Sequence, residues 1–348
     1  MTFAEDERVL PFEQSTRFYL KCAEEAEKEN DPVTAARYLR AGWEAGSAEA
    51  GRRLAFRLSA MQCVSASDSV LYRLKIADEF TDDCCYAAGC NALMLGRYSL
   101  ARAALNRYLN ISPDGMWAEN AEQMLEHYDP DFFGDGTGNS RRTAAKEAAR
   151  EYLLCGCPDK AERYIRRERD PALRALLAGA GAYLNGDSEE ALRLLPEKCA
   201  NIRENTLRAL IAACCLGSTG RPSEGLAMLL GTVPALRELA DLRLFVQASV
   251  LCRLPVYGRE LCRRWLKDLP FSAEVHAALF YACRAMRDER GAEEAGRMLC
   301  RLQCGLPDEN ILPFFSEEQR CLRDLVLSDY HKDLAVDSGE DDRPDKEF

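Results

Sequence analysis

Apolar and small residues along this chain fall three and four positions apart in short stretches, the spacing of amphipathic helices, and the stretches return at a near-constant interval. Leu95-Gly96-Arg97-Tyr98, followed by Ala101, Leu105 and Pro113, marks one such unit. Aligning the small residue that opens each second helix gives Ala36, Val70, Ala101, Ala161, Ala191, Gly225, Cys262 and Ala295. The steps are 34, 31, 60, 30, 34, 37 and 33 residues. A period near 34 predicts a stack of helical hairpins, none of which can bury its apolar face alone. The 60-residue step reads as two repeats with a non-standard connection.

Start and stop signals divide the stack. Asp31-Pro32 and Asp170-Pro171 each supply a capping carboxylate and then a proline suited to a first turn. Asp187-Ser188-Glu189-Glu190 and Ser316-Glu317-Glu318-Gln319 read as capping boxes. Gly96, Gly156, Gly186 and Gly220 stand where one helix stops and the chain reverses. The predicted pairs are 13–29 with 33–45, 48–62 with 68–79, 83–95 with 98–110, 141–155 with 158–168, 172–185 with 188–199, 202–217 with 222–230, 238–253 with 257–268, and 273–288 with 291–303. A helix over 115–128 has no obvious mate, and an amphipathic segment over 316–335 would cap the last open apolar face. The domain reading is therefore an N-terminal extension over 1–12, a first array over 13–128, a Gly/Asp-rich linker over 129–140, a second array with its cap over 141–335, and an acidic tail over 336–348.

Composition agrees with an all-α chain: 47% of the 348 residues are hydrophobic, so global disorder is excluded. A net charge of −11 argues against nucleic acid or an anionic membrane as partner, since both reward clustered Lys and Arg. No stretch is long and apolar enough for a spanning helix. The N-terminus lacks the basic-then-apolar pattern of a secretion signal, so a cytoplasmic, plausibly bacterial, protein is expected. The 16 cysteines lie inside helical stripes beside Ala and Leu and read as small apolar residues in reduced form.

Gly89, Ala92, Leu95-Gly96-Arg97-Tyr98, Ala101, Leu105 and Pro113 resemble the tetratricopeptide repeat, and Gly179, Ala182, Gly186, Ala191 and Leu195 repeat the pattern. The stretch Ala35 to Gly51, rich in Ala-Gly steps, is more similar to the Sel1-like variant. The resemblance covers about 13–310 and implies a right-handed α-solenoid that binds protein or peptide on a concave face, with no shared chemistry. By the same resemblance, first-helix positions lining the groove fall on Tyr86, Met94, Lys146, Arg150, Leu176, Tyr183, Leu210, Gln247, Phe280, Arg284 and Arg287. An apolar groove with charged margins suits an amphipathic helix or a hydrophobic peptide anchor.

Candidate chemistry is sparse. His127, His276 and His331 are scattered without ligand spacing, and no phosphate-binding loop is present. Cys155-Gly156-Cys157 and the pair Cys300 with Cys304 offer two thiolates each, but the period separates them by repeats, so no closed zinc site is expected. The loop Asp129 to Asn139 has part of a calcium-loop pattern, yet Phe133 and Arg142 occupy ligand positions, which removes the bidentate anchor. The expectation is a non-catalytic, cofactor-free scaffold or adaptor whose oligomeric state is open. The alternative is a peptide-sensing regulator acting on a separate effector.

Overall fold

A computed structural model describes residues 16–127, 149, 153, 158–166, 168–200, 202–236, 238–302, 319 and 321–329. The proposed linker over 129–140, the acidic tail, Lys146 and Arg150 lie outside these residues, as does nearly all of the helix expected over 141–155. Among the described residues the chain is all-helical, without strands.

In chain order the helices are α1 (Thr16–Lys28), α2 (Pro32–Glu44), α3 (Ala48–Ala60), α4 (Val64–Ile76), α5 (Asp82–Met94), α6 (Tyr98–Ile111) and α7 (Ala118–His127). They continue as α8 (Pro158–Ile165), α9 (Pro171–Leu184), α10 (Ser188–Leu194), α11 (Ile202–Ser218), α12 (Pro222–Leu230), α13 (Leu239–Leu251), α14 (Pro255–Asp268), α15 (Ala273–Ala285) and α16 (Glu289–Arg301). A 3-10 turn over Val233–Ala235 precedes α13, and 321–329 is helical. Each helix packs on its successor in the pair, and the first helices of adjacent pairs, such as α3 with α5 and α13 with α15, also pack on one another.

The caps act as their sequence suggests. The Asp31 carboxylate accepts from the Thr34 N–H at 3.0 Å, and Asp170 accepts from Ala172 and Leu173. Asp187 accepts from the Glu190 N–H at 2.9 Å. One boundary differs from expectation. Helix α10 ends at Leu194 instead of near 199, because Pro196 drives Leu195 into extended backbone (ψ 133°) and so out of the helix.

The repeat is visible in side-chain packing. A methyl group on Gly89 would meet Leu105 Cδ2 at 2.7 Å, and one on Gly179 would meet Leu195 Cδ2 at 2.8 Å. These two crossings lie 90 residues apart, as do the turns at Gly96 (φ 70°) and Gly186 (φ 83°), where a left-handed backbone favours glycine.

The stack does not run on as an open rod. Cys63 Sγ reaches the Phe271 carbonyl at 3.1 Å, and the Ser65 N–H donates to Glu274 Oε1 at 2.8 Å. Cys63 is the N-cap of α4 and provides no side-chain cap of its own. A carboxylate from α15 therefore satisfies an orphan donor of α4, where the helix dipole also favours negative charge. Close by, Val33, Ala36, Leu58 and Met61 of the first two pairs line a narrow cleft with Arg301 and Leu302. Ala273, Leu299 and Leu302 belong to the same packed core as α2 to α6. The last pairs thus return to the first ones.

Candidate functional site

The residues placed on the groove separate into three groups. Tyr86, Leu176, Tyr183 and Leu210 are buried in the packed interior, with Leu176 and Leu210 essentially without exposed surface. Met94, Gln247 and Phe280 are half-buried, while Arg284 and Arg287 are exposed on the α15 end. Lys146 and Arg150 lie outside the described residues. The structure does not join these positions into one open channel. Met94 packs against a core that also holds Leu95, Leu176, Tyr183 and Leu210, so part of the first array fills the space where a ligand was expected.

The filling element is the Leu95–Tyr98 turn. The Gly96 carbonyl accepts from Arg203 Nη2 at 3.2 Å, and Tyr98 donates its hydroxyl proton to Glu238 Oε1 at 3.1 Å. Arg203 also forms an ion pair with Glu238 and places its guanidinium 4.3 Å from the Tyr98 ring centre. Glu238 is buried, caps α13 and engages Asp241 in a capping box. Within the core, burial raises the Tyr183 hydroxyl well above its ordinary value, with the neighbouring Cys214 adding to the shift. Burial likewise pushes the Cys214 thiol up to about 12 and Cys85 up to about 12. Such thiols are inert apolar fillers at neutral pH.

An aromatic cluster surrounds Tyr86, one of the buried positions of the predicted groove. Its ring stacks on Trp117 with centroids 5.3 Å apart and planes 13° apart, and Phe56 lies 4.9 Å from Trp117 and 6.1 Å from Tyr86. Tyr108 closes the cluster 5.5 Å from Tyr86, and its hydroxyl oxygen accepts from the Trp117 N–H at 2.9 Å, which fixes the entry to α7. Tyr86 and Tyr108 are buried, but Phe56 and Trp117 are half-buried and Met116 beside them is 83% exposed. The result is a platform of three rings inclined to one another by 13–31°, from α3, α5 and the residue before α7. Burial raises the Tyr86 hydroxyl, so the platform carries no charge of its own.

Phe56 and Trp117 were not among the expected groove residues. The signal was present: they stand 30 residues before and 31 after Tyr86, one repeat away on each side. Arg53 and Arg57 on α3 pair with Glu24 and Glu27 of α1. Asp83, exposed on α5, has its carboxyl pushed up by partial burial and by Asp82, against the pull of Arg52. Among the described residues no group of three or more His, Cys, Asp or Glu side chains is placed to hold a metal ion. No helix among them is long and apolar enough to cross a membrane.

No family model matches the sequence, and neither the curated proteins nor the solved structures contain a match.

Proposed function

We propose that this chain is a non-catalytic protein-interaction scaffold, a right-handed α-solenoid of tetratricopeptide-like helix pairs whose docking face is the Phe56–Tyr86–Trp117 platform. The observation that carries the reading is that platform. Half-buried aromatic rings held rigid by a buried floor supply large contact area at small entropic cost, which is why Trp and Tyr dominate interface energetics. Met116, next to Trp117 in sequence, adds exposed apolar surface, and Asp83, on the same helix as Tyr86, adds an exposed polar group. A face so built fits the apolar side of an amphipathic helix or a peptide with an aromatic or aliphatic anchor.

The test is selection of binders from a displayed library of amphipathic helical peptides, followed by calorimetry. The double variant Phe56→Ala/Trp117→Ala should weaken the selected peptides at least tenfold, while Arg284→Glu/Arg287→Glu at the far end should leave them unchanged. A folded Phe56→Ala/Trp117→Ala protein that binds them as tightly as wild type would move the docking face elsewhere and end this reading.

A further inference from the structure

The helical segment over 321–329, with Gln319 just before it, covers a polar seat on the first array. Gln319 Nε2 donates to Asp68 Oδ2 at 2.8 Å, and Arg97 Nη2 donates to the Gln319 carbonyl at 3.4 Å. Asn91 completes the floor, donating from Nδ2 to Ser67 Oγ at 2.9 Å and to Asp68 Oδ1 at 2.7 Å. Ten residues on from Gln319, Asp329 forms ion pairs with Lys75 of α4 and with Arg107 of α6, the latter at 3.3 Å. Between these polar ends Leu322 and Val326 are buried in the first array's core, while Asp324, Leu325 and Ser328 face outward. Positions 0, 3, 7 and 10 of one helix face thus read amide, aliphatic, aliphatic, acid.

This arrangement differs from the cap a helical stack requires at its end. Such a cap needs only an apolar underside against the last pair, but here each polar contact of the segment just named is made to α4, α6 or the α5–α6 turn, more than 200 residues away in sequence. The seat is also polar where a cap would be greasy. Asp68, Asn91 and Arg97 are all buried, and Asn91 Oδ1 has no hydrogen-bond partner among the described residues. Burial raises the Asp68 carboxyl above its ordinary value, only partly offset by Arg97, Gln319 and Asn91. Departure of the segment takes the Gln319 amide from Asp68 Oδ2 and frees that oxygen for water. The 17 residues from 302 to 318 join Gln319 to the end of α16.

We propose that residues 319–329 are an intramolecular ligand, and that the seat formed by Lys75, Asp68, Asn91, Arg97 and Arg107 is a helix-docking site for a protein partner presenting the same amide–aliphatic–aliphatic–acid face. The partner's helix displaces the segment, so binding and release of the C-terminal segment are one event. The acidic end of the incoming helix lies between Lys75 and Arg107, and its amide meets Asp68. This site is separate from the aromatic platform, and it stands or falls independently of it.

The probe is a synthetic peptide of residues 316–332 with an N-terminal fluorophore, titrated into the full chain and followed by anisotropy. Wild type, its own segment seated, should bind at least tenfold more weakly than Leu322→Asp/Val326→Asp, whose segment is unseated. Adding Lys75→Glu/Arg107→Glu to that variant should lower peptide affinity at least tenfold, with partial recovery for a peptide carrying Asp329→Lys. Equal binding by wild type and the unseated variant, or indifference to the charge reversal, overturns the proposal. Should Leu322→Asp/Val326→Asp fail to fold, hydrogen exchange on wild type decides. Amides of 321–329 exchanging at least a hundredfold faster than those of α15 support a releasable ligand, and equal rates overturn it. A wild-type dimer that grows with concentration and is lost on Lys75→Glu/Arg107→Glu would assign the seat to segment exchange between copies, and overturn the outside partner.

Discussion

Gly96→Ala tests whether the two arrays are locked together at the Leu95–Tyr98 turn. Gly96 has φ 70°, and a methyl group there would overlap the Glu238 carboxylate and come within 2.6 Å of Arg203 Nη2. Two costs follow. A left-handed backbone at a residue with a β-carbon costs roughly 1–2 kcal/mol. Displacing the Glu238–Arg203 pair costs about 2 kcal/mol, below the ~3–5 kcal/mol of a fully buried pair because Arg203 keeps partial access to water. The sum is about 3–4 kcal/mol. Gly186→Ala is the matched control: it occupies the equivalent turn at φ 83°, with nothing within 4 Å of the added methyl, so only the backbone cost of roughly 1–2 kcal/mol applies. Urea denaturation followed by far-UV circular dichroism gives both numbers. Gly96→Ala should lie about 2 kcal/mol below Gly186→Ala, and its transition should broaden or split as the arrays uncouple. Two variants of equal stability, each melting in one sharp step, would refute the interlock.

Three further outcomes are expected. Burial raises the Glu274 carboxyl above its usual value, against the hydrogen bonds from Ser65, so the folded chain binds that proton more tightly than the unfolded one. The stability from this group is complete below the ordinary glutamate pKa of about 4.3 and is lost as pH rises through the folded value. Glu274→Gln, whose carboxamide oxygen still accepts from Ser65, should flatten that part of the urea midpoint measured between pH 4.5 and 7.5. Glu274→Ala removes the acceptor altogether and should cost about 1 kcal/mol at neutral pH, read from the same urea curves. Iodoacetamide labelling at pH 8 followed by mass spectrometry should modify exposed Cys300 early, and Cys85, Cys214 and Cys262 only after denaturant, since burial holds those three thiols protonated.

The helices were legible because their information is local. Asp31, Asp170 and Asp187 cap within four residues of themselves, Gly96 and Gly186 take left-handed turns, and Gly89 and Gly179 make room for Leu105 and Leu195 of the same helix pair. The accessible face was less legible, because groove positions follow from a resemblance that assumes an open concave side. Tyr183 and Leu210 sit at such positions, yet Leu95 from the other array belongs to the same core. Arg97 and Tyr98 read as part of a repeat signature, whereas their partners Gln319 and Glu238 lie 222 and 140 residues away. No period in the sequence encodes that distance. Trp117 was recoverable, since the repeat interval that located Tyr86 also reaches it.

The carboxylate that Glu274 lends to α4 bears on how such a chain can change its length over evolutionary time. In a linear stack each repeat answers only to its neighbours, so a unit gained or lost at either end leaves the others undisturbed. Here the final pairs supply a cap for the second pair and an apolar wall for the first two. Duplicating a repeat between them would carry Glu274 and Leu302 away from their seats, and deleting one would bring them into the wrong pair. The number of helical hairpins is therefore part of the fold itself, fixed as the circumference of a closed object is fixed.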